Sequence, residues 1–576
     1  MGNFIVSILL LLTNETANMA KNKLKTDIKK MSAKSAPSST TAPPSAPRRP
    51  VPEWAIVGIL AVLTVVLRWQ FLDIPLERDE SVYYYIGKTA LEGGRPYFDF
   101  YEMKPPGLFY SYALLVGLFG YSGVGAHLAL LFVSLSNMIF TYLIARDLGG
   151  KSMAAIAALA FIFFSLNPGA SGLYLVAEHV ALLWGLPGIW LAMHYPDRPS
   201  MTRLLLSGIL LSLSVLVKQT AAVFGMVVVI YWLMMWLQHR PRPALKPLVW
   251  WIAGGIIPLL GAWMILWASG TLEAAKFWLL DYSQRYASSV DENKMDLYFK
   301  TSWKLVSGGY EGYFMLAGAG LLALWWSRLS LAAKVFITSF ALLSAGTIVP
   351  GFRFYGHYYL LAFPAVCIAG AMLFYTISVR ISKKNTMSIG IVFIGLLWSV
   401  HHIAINSNMY IQPPLRFISR TFSPGNPFVE HQILSEELGK VIQPNDTIAV
   451  FGSDLQYFIY LDKKSPIRHV YMPFIAKGQF PEAVEWQNET IRVLRETRPE
   501  YVIFNAYPYA WMARFDKQNR LTRNILEFLN ATNYDPYLFI EADSRSKPAV
   551  VKFRVQQGAV KNDVNYIQVY KRRDEG

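Results

Sequence analysis

Cysteine is almost absent from this chain, and charged residues are scarce. Its 576 residues include one cysteine, Cys367, which lies in an apolar run. A disulfide within the chain is therefore excluded, and so is a metal site built from cysteines. Asp, Glu, Lys and Arg together make up 16% of the residues, against about 25% in ordinary soluble domains. This is not the composition of a soluble enzyme.

Long apolar runs make up much of the chain. Hydrophobic residues make up 53% of the chain, and runs of about 20 of them, the length that crosses a bilayer, recur up to residue 405. We predict a polytopic all-α membrane domain over residues 54–405, with about eleven transmembrane helices. The predicted spans are residues 54–72, 124–145, 152–167, 175–194, 204–217, 220–238, 248–268, 312–326, 332–350, 357–379 and 388–405.

Two regions of more polar composition flank this membrane domain. Residues 1–53 combine lysines with a Ser/Thr/Ala/Pro-rich stretch, which predicts a disordered basic tail on the cytoplasmic side. Residues 406–576 alternate helix-like and strand-like patterns, with strands predicted at residues 446–451 and 501–504. They predict a soluble α/β domain. With an odd number of spans, this domain emerges on the opposite, extracytoplasmic side.

The formal net charge of +16 does not indicate a nucleic-acid partner. Most Lys and Arg residues fall between predicted spans, where they set the orientation in the membrane. The basic clusters alternate so that they share a side with the N-terminal tail. The conspicuous polar clusters then all fall on the other side of the membrane.

Acidic and basic residues are concentrated just after the first predicted span. Asp79 and Glu80 belong to a Glu-Arg-Asp-Glu sequence, and Lys104 precedes two prolines that fix the backbone. A carboxylate at the membrane boundary suits a base that activates a sugar acceptor, and the lysine suits a phosphate. The structural alternatives are a helix cap for the acids and contact with lipid headgroups for the lysine.

Further polar groups are predicted on the same side. Glu178 opens a span, where a carboxylate is costly unless it is used or paired, and an interfacial cap is its structural alternative. Lys218 lies in a tight turn, where it can bind phosphate or reach the lipid interface. A third segment carries a dense set of polar groups: Arg353, Tyr355, His357 and Tyr358. Such donors suit a phosphate and a sugar ring, although an aromatic belt alone explains tyrosines at an interface.

These motifs resemble the first outer loop of the GT-C-fold transferases related to protein O-mannosyltransferases and lipid A aminoarabinose transferases. The order is Arg78-Asp79-Glu80, then tyrosines, then Gly94-Arg95-Pro96-Tyr97-Phe98-Asp99, then Lys104-Pro105-Pro106. The resemblance implies a multi-span helical domain, a polyprenyl-phosphate-linked sugar donor and inverting transfer on the extracytoplasmic face. It makes Asp79 the loop acid, Lys104 the phosphate contact and Glu178 the acid of the second outer loop.

The chain departs from this pattern at one position that bears on metal binding. The aminoarabinose transferases carry Glu directly before Lys-Pro-Pro, where this chain has Met103, with Glu102 one residue earlier. The resemblance therefore does not imply a metal ligand at this position. No fixed-spacing metal motif is present, so no cofactor is certain. Glu102 and His357 are the candidate ligands for a divalent metal.

The sequence thus predicts a membrane glycosyltransferase, of the hexosyl- or pentosyltransferase class, in the inner (plasma) membrane. The donor is a polyprenyl-phosphate-linked sugar, the acceptor a lipid, glycan or protein, and the C-terminal domain is periplasmic. The predicted catalytic residues are Asp79, Glu80 and Glu178, and the predicted phosphate-binding residues are Lys104, Lys218, Arg353, Tyr355 and Tyr358. A transporter or a lipid or oligosaccharide flippase is the alternative, with a non-catalytic assembly protein as a third class. Polar groups gathered at one face, without internal repeats, favour the enzyme.

Overall fold

The structure is a computed structural model. It describes residues 52–195, 200–238, 245–381, 397–422, 426–476, 481–511, 519–541, 551–553 and 566–573. Nearly all of the predicted basic tail and residues 388–396 of the last predicted span lie outside the described residues.

Helices make up most of the chain up to residue 405. In chain order they are α1 (Glu53–Trp69), α2 (Arg78–Leu91), α3 (Gly107–Phe119), α4 (Gly123–Phe164), α5 (Ala177–Met193), α6 (Met201–Val217), α7 (Ala222–Gln238), α8 (Leu248–Ala268), α9 (Leu272–Lys276), α10 (Ser283–Ser288), α11 (Met295–Ser307), α12 (Glu311–Leu324), α13 (Leu331–Gly346) and α14 (Phe363–Ile381). Residues 397–405 are also helical. Every predicted span that the structure describes in full coincides with a helix or half of one, to within a turn or two.

The long helix α4 accounts for two of the predicted spans. Gly150 interrupts it with a φ of 83°, a left-handed conformation that glycine adopts without steric cost. The break separates two helical halves that correspond to residues 124–145 and 152–167. A change of direction between two spans is therefore built into one continuous run of helix.

Four helical segments in the described part of the chain are both long and apolar enough to cross a membrane: Gly123–Phe164, Gln219–Gln238, Leu248–Ala268 and Gly356–Val379. Helices α3, α6, α12 and α13 are shorter and also apolar. The helical, apolar character of the membrane domain is thus as predicted, while the number of spans stays a prediction.

Small residues let the helices of this domain pack closely. A Cβ atom at Gly208 of α6 would collide with the carbonyl oxygen of Trp251 in α8, and one at Gly254 of α8 would collide with that of Leu205 in α6. The two backbones are therefore in direct contact, as small residues commonly allow in membrane domains.

Beyond residue 405 the described chain combines short helices with a sheet. The helices are α15 (Ser407–Ile411), α16 (Pro414–Phe422), α17 (Phe428–Gly439), α18 (Gln456–Tyr460), α19 (Pro473–Ala476), α20 (Pro481–Thr497) and α21 (Arg520–Ala531). The strands are β1 (Ile448–Phe451), β2 (Tyr501–Asn505), β3 (Tyr534–Glu541), β4 (Val551–Phe553) and β5 (Tyr566–Arg572). They are arranged in the order β1-β2-β5-β3-β4. β1 and β2 are parallel, with Ile448 opposite Tyr501, and the other pairs are antiparallel.

Helix α18 packs against α2, so it connects the described residues after 405, called the C-terminal domain below, with the helices before residue 405, called the membrane domain. The ring of Phe458 lies 5.2 Å from that of Tyr85, and the Tyr460 hydroxyl accepts a hydrogen bond from the Leu76 backbone N–H at 2.7 Å. The C-terminal domain is thus in contact with the helix that carries Asp79.

Candidate active site

A cavity of about 680 Å3 lies where the membrane domain meets the C-terminal domain. Its size is within the range of pockets that take small molecules. Its walls come from distant parts of the sequence: the start of α2, residues 102–104, residues 218–220, residues 282–289, residues 350–358 and residues 471–474. Four cationic side chains and three carboxylates are among the lining residues.

Two glutamates build the start of α2. The Glu77 carboxylate accepts hydrogen bonds from the backbone N–H groups of Asp79 at 2.7 Å and Glu80 at 3.2 Å. The Glu80 carboxylate accepts one in return from the Glu77 N–H at 3.3 Å. This reciprocal arrangement is a capping box. The structural role considered for the acids of this loop is thus performed by Glu77 and Glu80.

Asp79 has a different environment from its two neighbours. It lies in the first turn of α2, it is half-buried and it lines the cavity. Among the described residues, no hydrogen bond or ion pair engages its carboxylate. The amino end of a helix favours a negative charge at this position. Asp79 is therefore an available base at the cavity wall.

Glu80 is not among the residues that line the cavity. Its side chain is fully buried, its Oε1 accepts a hydrogen bond from the Leu175 N–H at 2.6 Å, and its Oε2 lies 3.4 Å from Nε2 of His127. These contacts hold α2 against α4 and the segment before α5. The position of Glu80 does not favour the catalytic role predicted for it.

Burial raises the pKa of the Glu77 carboxyl from its ordinary 4.5 to about 8, and the neighbouring Asp79 carboxylate contributes to this rise. Near neutral pH, Glu77 is therefore largely protonated. A proton on Glu77 removes a negative charge from the cavity wall beside Asp79.

Lys104 also lines the cavity. Its Nζ donates a hydrogen bond to the Tyr83 hydroxyl at 2.6 Å and lies 3.3 Å from Oε1 of Glu102. The Lys104 backbone carbonyl accepts a hydrogen bond from the Tyr97 hydroxyl at 2.8 Å. With Pro105 next in the chain, these contacts fix the ammonium at the cavity wall.

Glu178 and Lys218 form a buried ion pair, in which the lysine ammonium donates to Oε1 of the glutamate. The Lys218 Nζ also lies 4.1 Å from the centre of the Tyr358 ring, and Nε2 of His357 lies 3.9 Å from the same Glu178 oxygen. Lys218, Tyr358 and His357 line the cavity, whereas Glu178 does not. The predicted catalytic acid Glu178 is thus located as the counter-ion that holds Lys218 at the cavity.

Arg353 lines the cavity and binds the α10 segment. One guanidinium nitrogen donates to the Tyr286 carbonyl at 2.9 Å and to the Ser289 hydroxyl at 2.8 Å. The guanidinium also stacks on the Tyr286 ring at 3.8 Å, and the Tyr286 hydroxyl lies 3.4 Å from that of Tyr355. Arg353 and Tyr355 therefore connect the segment after α13 with the segment around α10.

The two candidate metal ligands have other partners. Glu102 pairs with Lys104, and His357 lies beside Glu178. Within the described ranges, no three His, Cys, Asp or Glu side chains are grouped so that they could hold a metal ion. Metal dependence stays a prediction.

Several residues that line the cavity were not predicted from the sequence. Tyr471, Pro473 and Phe474 come from the C-terminal domain, where no motif marks them. Tyr83, the partner of Lys104, lies four residues after Asp79 in α2. This spacing puts the two side chains on the same helix face, and it was the one available signal.

Two solved structures of one protein have a fold similar to that of this chain. The apo structure of ArnT from Cupriavidus metallidurans matches with a TM-score of 0.55 and 13% identity, over 87% of this chain and 98% of that chain. The structure of the same protein bound to undecaprenyl phosphate matches with a TM-score of 0.53 and 13% identity, over 78% and 93% of the two chains. This similarity shows that the chain has the GT-C fold that the sequence predicts.

An oligosaccharyltransferase from Archaeoglobus fulgidus, in complex with an inhibitory peptide and a dolichol-phosphate, is 14% identical over 89% of this chain and 75% of that chain. Its TM-score of 0.46 is too low to support an inference. No protein-family model matches the sequence, and no curated protein matches it.

Proposed function

We propose that this chain is a membrane glycosyltransferase that moves a sugar from a polyprenyl-phosphate donor to a hydroxyl of a lipid, glycan or protein acceptor. The observation that carries the proposal is the environment of the Asp79 side chain. Its carboxylate is unengaged among the described residues, and it lines the same cavity as Lys104, Lys218 and Arg353. A base beside several cations is the arrangement that transfer from a phosphate leaving group requires.

The cations supply the binding site for the donor phosphate. Tyr83 and Glu102 hold the Lys104 ammonium, and Glu178 holds that of Lys218. Arg353 adds a planar guanidinium, which matches a phosphate group. The similar ArnT structure bound to undecaprenyl phosphate supports a polyprenyl phosphate as the lipid part of the donor. Tyr355 and Tyr358 line the cavity beside these cations and offer hydroxyl groups to the phosphate and the sugar.

The reaction is a single displacement. Asp79 removes the proton of the acceptor hydroxyl, whose oxygen attacks the anomeric carbon while the bond from that carbon to the phosphate oxygen breaks. The cations stabilise the charge that grows on the leaving phosphate, and the released carrier is the polyprenyl phosphate. Because no covalent intermediate forms, the anomeric configuration inverts.

The rest of the predicted architecture fits this role. We propose about eleven membrane spans, a cytoplasmic N-terminal tail and a C-terminal α/β domain on the periplasmic side of the inner membrane. The active site then faces the periplasm, and Tyr471 and Phe474 of the C-terminal domain contribute to its wall. Glu80 and Glu178 support the site as the cap of α2 and the counter-ion of Lys218.

A transfer assay with a panel of donors tests the proposal. The purified protein in lipid nanodiscs is incubated with undecaprenyl phosphate linked to radiolabelled monosaccharides, one at a time, and with a membrane extract of the producing cells as acceptor source. We expect label from one donor to leave the lipid carrier and to appear in an acceptor with inverted anomeric configuration. Absence of transfer from every donor, or retention of configuration, would contradict the proposal. Movement of intact donor across a vesicle membrane would instead favour a flippase.

A further inference from the structure

The C-terminal domain binds both polar groups of the backbone at Leu76, directly before the capping residue Glu77. The Leu76 N–H donates to the Tyr460 hydroxyl at 2.7 Å, and the Leu76 carbonyl accepts from the Gln456 side-chain amide at 3.2 Å. Gln456 and Tyr460 are the first and last residues of α18. The position at which α2 begins is therefore fixed by a helix of the other domain.

A second contact with the start of α2 involves a residue beside the sheet. Asp454 follows the carboxyl end of β1 and is fully buried. Its Oδ2 accepts a hydrogen bond at 2.8 Å from the side-chain amide of Asn505, which ends the parallel neighbour β2. Two adjacent strands thus hold this carboxylate in place.

Arg78 extends from the first residue of α2 towards this carboxylate. Its Nε lies 3.9 Å from Oδ1 of Asp454, and its Nη2 donates to Oδ1 of Asn426 at 3.0 Å. At 3.9 Å the contact is an ion pair and too long for a hydrogen bond. Neither Nε of Arg78 nor Oδ1 of Asp454 has a hydrogen-bond partner among the described residues, and both atoms are buried. Buried polar atoms without a hydrogen-bond partner are uncommon, and the ion pair with Arg78 offsets part of the cost of burying this carboxylate.

A histidine also lies near Asp454. Nε2 of His431 is 3.7 Å from Oδ1 of Asp454, and it is 2.9 Å from the Tyr507 hydroxyl. Burial lowers the pKa of His431 to about 4, so this imidazole is neutral at neutral pH. Within the described part of the chain, the charge that balances Asp454 is therefore that of Arg78.

We propose that the C-terminal domain positions the catalytic base, with Asp454 acting through Arg78 and Tyr460 acting through the Leu76 N–H. Arg78 directly precedes Asp79, and Leu76 lies three residues before it. The contacts at Arg78 and Leu76 therefore determine the position of the Asp79 carboxylate in the cavity. Neither Asp454 nor Tyr460 lines the cavity, and both are positioning residues. This inference rests on the proposed function, because it concerns the base of that reaction.

A double-mutant cycle tests the link between Asp454 and Arg78. Asp454→Asn keeps an acceptor for Asn505 and removes the charge opposite Arg78. We expect kcat for the donor that the wild type consumes to fall about 10-fold to 100-fold, as small misplacements of a catalytic group do, with KM changed by less than about threefold. Arg78→Gln should have a similar effect, and the double variant should lose no more than the worse single variant. The exposed Glu496→Gln serves as the control and should retain wild-type kinetics.

Losses that multiply in the double variant would overturn the inference, because they would mean that the two residues act independently. A fully active, folded Asp454→Asn variant would overturn it as well. Tyr460→Phe is the second variant, in case Asp454→Asn does not fold. It removes one hydroxyl, and we expect a lower kcat with unchanged KM; wild-type kcat in this variant would contradict the role of α18.

Amide hydrogen exchange gives a readout that does not need activity. Exchange of residues 76–83 should be faster in Tyr460→Phe and Asp454→Asn than in the wild type and in Glu496→Gln. Unchanged exchange in both variants would overturn the inference even if the wild type transfers sugar. A wild type that transfers no sugar contradicts the proposed function alone, since the exchange result still decides whether the C-terminal domain holds the start of α2.

Discussion

Replacement of Glu178 by glutamine removes the counter-ion of Lys218 inside the protein. The side chains are almost fully enclosed, with relative exposures of 1% for Glu178 and 9% for Lys218. Loss of one partner from a buried ion pair leaves an unpaired charge and typically costs about 3–5 kcal/mol. We expect the lower end, about 3 kcal/mol, because the glutamine oxygen still accepts a hydrogen bond and the contact of the ammonium with the Tyr358 ring is retained.

The assay is thermal and denaturant unfolding of matched variants in the same detergent. The double variant Glu178→Gln/Lys218→Met should recover most of the lost stability, because it removes the unpaired charge and apolar replacements of buried pairs are often neutral. Asp296→Asn is the control, since its ion pair with Lys300 is exposed and should contribute less than about 1 kcal/mol. A Glu178→Gln variant as stable as the wild type would refute the counter-ion role. The counter-ion role would also be refuted if the double variant Glu178→Gln/Lys218→Met were no more stable than Glu178→Gln.

Three further variants test other parts of the account. Lys104→Met should weaken undecaprenyl phosphate binding, measured in nanodiscs, by about 10-fold or more, because a charge-assisted hydrogen bond is lost, whereas the exposed Lys300→Met should not. Glu77→Gln should flatten the pH dependence of stability. The folded-state pKa of about 8 lies above the ordinary 4.5, so the wild-type melting temperature should fall as pH rises from 5 to 8, and the variant should lack this decline. Gly208→Val should lower stability by about 1–3 kcal/mol by separating α6 from α8, whereas Gly261→Val, which has open space around it, should cost less.

The helices of the membrane domain could be predicted because apolar run length is a local property. The run at residues 248–268 coincides with α8, and a glycine-rich junction marks the break in α4 at Gly150. The apolar, β-branched run at residues 446–451 contains β1, and the run at residues 501–504 covers all of β2 except its last residue. Motif order was informative too, since Asp79, Lys104 and Arg353 line the same cavity although they are far apart in the sequence.

The different roles of the carboxylates could not be predicted from the sequence. Glu77, Asp79 and Glu80 are chemically alike in the sequence, and only the capping geometry separates the cavity residue Asp79 from the buried Glu80. Glu178 likewise looks like a free acid until its contact with Lys218 is known. The cap is a local feature, but the burial of Glu80 against Leu175 and His127 and the pairing of Glu178 with Lys218 depend on long-range packing, which residue spacing does not encode.

The contribution of the C-terminal domain was unpredictable for the same reason. Asp454 meets Arg78 across hundreds of residues of sequence, and the hydrogen bond between Tyr460 and Leu76 depends on how α18 packs against α2. No local pattern distinguishes Tyr471 and Phe474, which line the cavity, from other aromatic residues of the domain.

The central claim is that Asp79 is the base of sugar transfer from a polyprenyl phosphate. The most direct measurement compares Asp79→Asn with the wild type in the nanodisc transfer assay, with Asp73→Asn as the matched control, since Asp73 is exposed in the segment between α1 and α2. We predict that Asp79→Asn folds, binds undecaprenyl phosphate as the wild type does and transfers sugar about 100-fold or more slowly, as loss of a general base implies. Transfer by Asp79→Asn at the wild-type rate would contradict the account.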